Sequence, residues 1–304
     1  MSIIGTGNHP KALWPGVEKM WGITYAAHDP VWSKIFTTKK SKKNFEELVQ
    51  NVMFGYAGVK AQGGAVPMDS TQQGYTHRAT HVEYGLGYII TEIEIEDELY
   101  PELSMGRTKS LAYSMVQTKE RNAANIFDRA FNSSYTYGDG LELVSTAHVD
   151  GVGGTWSNEL STASTLDENS LEDLVIQMHG ANNDRGMQIR LNPKMLMVPR
   201  QLEFDACRIL KSISQSGTAN NDVNALRVSN SIPGGVLTNV YLSDANNWFV
   251  LTDLPDAGLI CYQRRAVTFG KDNDFTTGNA RAKATERYIF TNGDPRSIYG
   301  SAPA

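Results

Sequence analysis

Cysteine is nearly absent from this chain. Cys207 and Cys261 are the only two among 304 residues, and neither lies in a C-x-x-C pair. No disulfide framework can form from them, and they read as buried free thiols in a reducing compartment. Long apolar runs are missing as well. Nothing approaches the roughly 20 consecutive apolar residues of a membrane-spanning helix, and Met1-Ser2-Ile3-Ile4 offers neither the basic nor the apolar region of a secretory signal. The protein is therefore expected to remain where it is made, without a membrane partner. Basic residues number 28 against 33 acidic ones, a net charge of −5, which argues against general nucleic-acid affinity; nor are the Trp and Tyr residues interleaved with basic ones as base-stacking surfaces require.

Catalytic signatures are equally lacking. There is no P-loop signature, no G-x-S-x-G and no H-E-x-x-H, and Gly151-Val152-Gly153-Gly154 is not followed by a helix-opening Lys. His77, His81 and Glu83 would share one face of an extended strand, but the two histidines would stand about 13 Å apart, too far for a metal that holds its ligands at about 2 Å. His148 and Asp150 have the types of a general base and its orienter, yet no nucleophile motif is near and a turn is the simpler reading. No catalytic, cofactor-binding or metal-ligating residue is assigned, and the chain is not expected to be an enzyme.

What the sequence does contain is structure. With 40% hydrophobic and 20% charged residues, it can bury one large core or two ordinary ones. Residues 103–132 carry Met105, Leu111, Ala112, Met115, Val116, Ala123, Ile126, Phe127 and Phe131 at helical period, with Arg107, Ser110, Arg121 and Asp128 opposite. Lys109 falls at the edge of this stripe and Lys119 inside it. At 1.5 Å per residue the helix would be a rod of about 40–45 Å, nearly the ~50 Å diameter of a compact chain of this length. Such a proportion suits a flat subunit built on a spine.

Residues 1–43 read as an arm. Pro10, Pro15, Gly16 and Pro30 interrupt regular elements, while Leu13, Trp14, Trp21, Ile23, Tyr25, Trp32, Ile35 and Phe36 demand burial; the arm ends in Lys39-Lys40-Ser41-Lys42-Lys43. Residues 44–98 read as two extended limbs around a polar tip at 60–76. In the return limb, expected as one strand over 80–96, Ile89, Ile93 and Ile95 alternate with Glu92, Glu94 and Glu96. Its ~17 residues would extend about 55 Å, so the hairpin is expected to project and find cover on another subunit.

Beyond a turn-rich stretch at 135–168, Ser170 is placed to cap a short helix and Pro199 to open a second one, with Leu202, Ala206, Ile209, Leu210 and Ile213 on its buried side. Strands are expected at 188–191, 195–198, 225–228, 236–242, 248–251, 259–262, 266–269 and 279–290, with a mobile loop at 215–224. In the last strand Arg281, Lys283, Thr285 and Arg287 face away from Ala280, Ala282 and Ala284. The fold class is α+β.

These phrases in this order carry a resemblance: YGLGYIITEIEIEDELYPEL running into the spine, QTKERNAANIFDRAFN closing it, then GGTWSNEL, LEDLVIQMHGANNDRGMQIRLNPKMLMVPRQLEFDACRIL and NARAKATERYIFTNGDPRSIYG. Together they resemble the major capsid proteins of tailed phages with the Hong Kong 97 fold, closest in flavour to the Mu-like major head subunits. The resemblance implies an N-terminal arm at 1–43, an extended hairpin loop at 44–98, a peripheral domain with the spine helix at 99–145 and 257–304, and an axial domain at 146–256. It further implies hexamers and pentamers in an icosahedral shell around phage double-stranded DNA, enclosed without sequence-specific binding. The site would be the virion, assembled in the host bacterial cytoplasm, with room for a portal and a separate scaffold or decoration protein. No long helical prefix precedes the arm, so a fused scaffolding region is not expected. An encapsulin-like shell is the alternative, and a soluble enzyme a more distant one. Some relatives cross-link Lys to Asn between subunits; Lys60 lies near the hairpin tip, but no motif supports that chemistry.

Physical reasoning leads to the same place. An apolar arm and a projecting hairpin would aggregate unless neighbours covered them, and together they could bury the several thousand Å2 of an obligate interface. Opposite alternating charges suggest that Glu92, Glu94 and Glu96 meet Arg281 and Lys283, or the 39–43 run, of an adjacent subunit. Such exposed pairs contribute about 0–1 kcal/mol each, so they would set register more than strength. On the spine, Arg107 and Arg121 are the outward contact candidates, with Lys109 and Lys119 less clearly exposed.

Overall fold

Helix and sheet are mixed throughout the computed structural model, which describes residues 10–52, 54–96, 100–150, 153–214, 222–254, 258–274 and 276–303. Helices α1 (Pro10–Ala26) and α2 (Trp32–Ile35) precede strands β1 (Thr37–Lys40), β2 (Phe45–Val52), β3 (Gln72–Thr80) and β4 (Val82–Ile90). The short α3 (Glu92–Glu96) and long α4 (Tyr100–Asp128) follow, then β5 (His148–Val149), β6 (Thr155–Trp156) and α5 (Glu168–His179). The remainder comprises β7 (Pro193–Val198), α6 (Glu203–Lys211), α7 (Ala225–Val228), β8 (Val236–Thr238), β9 (Trp248–Thr252), β10 (Leu259–Asn273), β11 (Ala280–Asn292) and β12 (Ile298–Ser301). The chain divides into two units, one from Met1–Asn44, Thr80–Ala123 and Cys261–Ile289, the other from Phe45–Ala79, Ala124–Ile260 and Phe290–Ala304.

In the first unit the strands run β1-β10-β11-β4. β11 lies antiparallel to β4, with Ala280 opposite Ile90 and Lys283 opposite Gly87. As its alternation predicts, Ala280, Ala282 and Ala284 are buried while Arg281 and Lys283 are exposed. Small side chains let helices approach closely, and Trp21, Leu111, Ala112, Met115 and Ala284 form one cluster there. Val17 joins Ile90, Ala280 and Ala282 in another.

Helix α1 corrects the expectation of an irregular arm. Pro10 stands at its first residue, where proline sacrifices no hydrogen bond, and Pro30 lies beyond its end. Pro15 is interior and unfavourable by about 3 kcal/mol. Val17, Trp21 and Tyr25 recur every four residues, however, and burying each side chain is worth roughly 1.5–3 kcal/mol; the stripe outweighs the breaker. Trp21 stacks on Phe269 at 5.3 Å between ring centroids.

The return limb is not one strand. β3 pairs with β2 as a two-stranded ribbon, whereas β4 joins the four-stranded sheet. Between them His81 is buried, its N–H donating to the Asn44 carbonyl at 3.2 Å. Beyond Ile90 the Ile/Glu alternation forms a helix, because Thr91 and Glu94 make reciprocal bonds: Thr91 N–H to Glu94 Oε2 at 3.1 Å and Glu94 N–H to Thr91 Oγ1 at 3.3 Å. A T-x-x-E capping box thus overrides a period of two. The spine helix, expected over 103–132, spans Tyr100–Asp128. Leu111, Ala112, Met115, Val116, Ala123, Ile126 and Phe127 are buried as its stripe requires, but Met105 is exposed.

The second unit holds a sheet in the order β12-β9-β7-β8, antiparallel except for the β7–β8 pair. Leu171, Leu174 and Met178 of α5 and Ala206 and Ile209 of α6 share its core with Leu196, Trp248, Val250 and Tyr299. The cap of α5 is Asp167, three residues before the expected Ser170; the Asp167 side chain accepts from the Ser170 N–H, and Ser170 Oγ accepts from the Asp167 N–H. α6 begins at Glu203 after a turn in which Leu202 bonds back to Pro199, and Ile213 is exposed beyond it. Residues 225–228 are helix instead of strand. Asn224 caps them through Oδ1 to Arg227 N–H while its Nδ2 donates to the Ile209 carbonyl. The strand expected at 188–191 is reduced to a bridge between Asn182 and Gln188, and those at 259–262 and 266–269 merge into β10. Of the loop expected at 215–224, residues 215–221 lie outside the described residues.

Candidate assembly interface

Two adjacent charges on the spine helix organise the first unit from within. Lys119 is buried and pairs with Glu286 of β11, whose carboxylate also accepts from Gln263 Nε2 at 3.2 Å. The Lys119 ammonium stands 4.5 Å from the Trp32 ring centroid and 4.9 Å from that of Tyr288. Glu120, equally buried, accepts from the Val31 N–H at 2.8 Å and the Trp32 N–H at 3.2 Å, with His28 Nε2 at 3.4 Å. One lysine therefore ties the spine to the sheet and one glutamate ties it to the N-terminal segment. In this surrounding burial pushes the Cys261 thiol up to about 12, an inert buried thiol as expected.

Lys119 is thereby removed from the exposed contact candidates: its place inside the stripe leads to an intrachain ion pair. Arg107 and Glu94, each expected to contact a neighbouring subunit, meet in one chain. Arg107 Nη2 lies 2.8 Å from Glu94 Oε1 and Nη1 3.2 Å from Oε2. Bonds from Arg107, and then from the Thr91 backbone, hold the Glu94 carboxyl down to about 2. Arg281 pairs with Asp274 at 2.6 Å. Glu92 is exposed, its N–H donating to Asn279 Oδ1. Glu96 closes α3, and its side chain lies outside the described residues. Lys109, Arg121 and Lys283 are exposed.

Arg281 and Lys283 of β11, with Arg265 of β10, form an exposed basic face on the sheet. Gly85 and Gly87 of β4 lie opposite Thr285 and Lys283, Arg265 reaches Glu83 at 2.5 Å, and Arg287 reaches Asn44. Of the lysine run at 39–43, Lys39 and Lys40 lie in the edge strand β1 of this sheet. Ser41 is buried there, its N–H donating to the Gln263 carbonyl and its Oγ 3.0 Å from His81 Nε2. Lysines on an edge strand also discourage unwanted strand pairing.

The residues weighed for chemistry are dispersed among structural partners. His77 lies 3.1 Å from Thr291 Oγ1 and against Tyr137, its pKa lowered by burial; His81 bonds Ser41, and Glu83 bonds Arg265. Among the described residues no group of three His, Cys, Asp or Glu is arranged to hold a metal. His148 is oriented by Asp139, not by Asp150: Nδ1 faces Asp139 Oδ2 at 2.5 Å and Nε2 faces Asn158 Oδ1 at 3.1 Å, under Trp156. Asn158 Nδ2 donates to the carbonyls of Leu143, Pro295 and Ile298, so this network, with His148 and Asn158 buried, joins chain segments. Asp139, Asn158 and Glu120 escaped sequence reasoning because they act across 9 to 140 positions, with no local motif.

Spine helix, extended hairpin and two four-stranded sheets define a structural subunit of the Hong Kong 97-type capsid architecture. Its fold is similar to the virus-like particle from Pyrococcus furiosus, with a TM-score of 0.56, 10% identity, and coverage of 94% of this chain and 98% of that one. The capsid of a native GTA particle aligns with a TM-score of 0.56 and 12% identity over 90% of this chain and 92% of that one. For the mature capsid of bacteriophage PhiM1 the values are 0.55, 9%, 90% and 87%. No curated protein matches the sequence. The profile of the phage capsid protein family matches residues 74–301, and the chain belongs to that family. It is a structural capsid protein of an icosahedral virion shell.

Proposed function

We propose that this capsid subunit builds its shell from hexamers and pentamers around double-stranded phage DNA, in the host bacterial cytoplasm, and has no catalytic role. The observation that carries this reading is the family match across residues 74–301. In it, 1–43 is the arm, 44–98 the extended hairpin, 99–145 with 257–304 the peripheral domain and 146–256 the axial domain. A portal and a separate scaffold or decoration protein complete the particle. The affinity with Mu-like head subunits rests on the sequence phrases alone.

Contacts between subunits are assigned to the basic sheet face, with Arg281 and Lys283, and to the exposed spine residues Arg121 and Lys109. Glu92, with Glu96, is the acidic counterpart; Glu94 and Arg107 take part as a preformed pair. The net charge of −5 fits a wall that encloses DNA without adhering to it. A second reading, a cargo shell without a genome, is favoured by the likeness to the Pyrococcus furiosus particle. Negative-stain electron microscopy of the purified protein tests both: uniform closed particles are expected, and a monodisperse monomer, open tubes or single rings would overturn the proposal. Nuclease-protected DNA in particles from infected cells separates a genome container from a cargo shell.

A further inference from the structure

The loop between β2 and β3 has no strand partner over residues 54–71, yet it is held. Asp69 is the centre of the hold. Its Oδ1 accepts from Arg185 Nη2 at 2.5 Å and from the Ser70 N–H at 2.8 Å, and its Oδ2 accepts from the Gly55 N–H at 2.9 Å. These bonds, Arg185 first among them, keep the Asp69 carboxyl well below the usual carboxylate range. On either side, Tyr56 OH accepts from the Gln188 N–H at 3.3 Å and Gln50 Nε2 donates to Asp184 Oδ2 at 2.6 Å.

The receiving side is a rigid turn. Asn183 Oδ1 accepts from the N–H groups of Arg185 and Met187, and Gly186 supplies the left-handed backbone at φ 75°. Asp184 is anchored in turn by the buried Arg296 at 2.8 Å. The loop's apolar residues remain exposed: Phe54, Tyr56, Val59, Val66 and Met68, with Val59 fully so. Nothing in the hold must break for those side chains to be covered.

We infer that Asp69 and Arg185 form a clasp that holds the hairpin loop on its own subunit before assembly, so that a second copy of the chain meets a loop already in place. This rests on the shell-forming reading above. Ordering the loop in advance removes part of the entropy that would otherwise oppose association. Arg185 is thus a positioning residue for assembly.

The test uses the full-length chain. Trypsin cleavage after the exposed Lys60 reports loop opening in the unassembled subunit, and light scattering against concentration reports assembly. Asp69→Ala and Arg185→Gln are expected to accelerate cleavage at Lys60 by about threefold or more, the scale of one exposed ion pair, and to raise the concentration needed for assembly by a similar factor. Arg185→Lys should recover part of both effects. Arg190→Gln is the control, because it removes an exposed arginine of the same unit, and one trypsin site as Arg185→Gln does, at a side chain that bonds Asn192 at 3.3 Å. Unchanged cleavage in both clasp variants would overturn the clasp. Faster cleavage with an unchanged or lower assembly threshold would overturn its role in assembly. Should the parent protein never assemble, the shell reading and the assembly role fall together, while cleavage still decides whether the clasp exists.

Discussion

Lys119 on the spine helix and Glu286 on β11 meet with side chains only 4% and 1% exposed. Two charges removed from water in this way are stabilising only as a pair. Lys119→Met leaves Glu286 buried and uncompensated, and is expected to destabilise the first unit by about 3–5 kcal/mol. The double variant Lys119→Met/Glu286→Leu should lose far less, because both desolvation penalties vanish together. Urea unfolding of the three variants in a double-mutant cycle measures this. Additive losses would mean that each residue acts alone.

Glu94 and Arg107 form the half-buried counterpart, and their linkage to pH has a definite sign. The carboxyl is lowered in the fold from 4.5 to about 2, so its contribution is present above pH 4.5 and is lost as pH falls through about 2. Carboxyl NMR titration should find Glu94 near 2 in the parent protein and close to its ordinary value in Arg107→Gln. No change on removing Arg107 would show that the Thr91 bonds alone hold the carboxylate.

Capping explains where sequence and structure part company. The α4 stripe and the β11 alternation were legible because each repeats many times on one face. Residues 92–96 alternate as well, yet five residues of alternation weigh less than one Thr91–Glu94 capping box. Residues 225–228 look like a strand until Asn224 is seen bonding Arg227 ahead and the Ile209 carbonyl behind. His148–Asp139 and Arg185–Asp69 were invisible for a different reason: each pair acquires its meaning only when the fold brings distant turns together. A sequence phrase carries periodicity and local hydrogen bonding well, and long-range polar contacts poorly.

The cap of α5 gives a direct check on this account. Asp167 accepts from the Ser170 N–H at 2.7 Å, and Ser170 Oγ accepts from the Asp167 N–H at 3.0 Å. Asp167→Ala should destabilise the second unit by about 1 kcal/mol, the usual worth of an N-cap. Asp167→Asn keeps an acceptor and should lose less. Thermal unfolding followed by circular dichroism ranks them, and equal losses would show that charge at the helix N-terminus, not the hydrogen bond, is what matters.

The two faces of the spine make separable predictions about folding and assembly. Met115 and Phe127 are buried, at 3% and 0% exposure. Met115→Asp or Phe127→Asp places a carboxylate in an apolar core and should cost more than about 4 kcal/mol, enough to abolish soluble protein. Arg121 is exposed on the same helix, so Arg121→Glu should change subunit stability by less than about 0.5 kcal/mol. If Arg121 contacts a neighbouring subunit, the reversal substitutes repulsion for attraction across the interface, and closed particles should become rarer while the unassembled subunit accumulates. Arg107→Glu behaves differently, because it also repels Glu94 within its own chain and loosens α3. Sedimentation velocity on all four variants separates the cases. Loss of soluble Arg121→Glu protein, in parallel with Met115→Asp, would place Arg121 on the folding side of the helix instead of the assembly side.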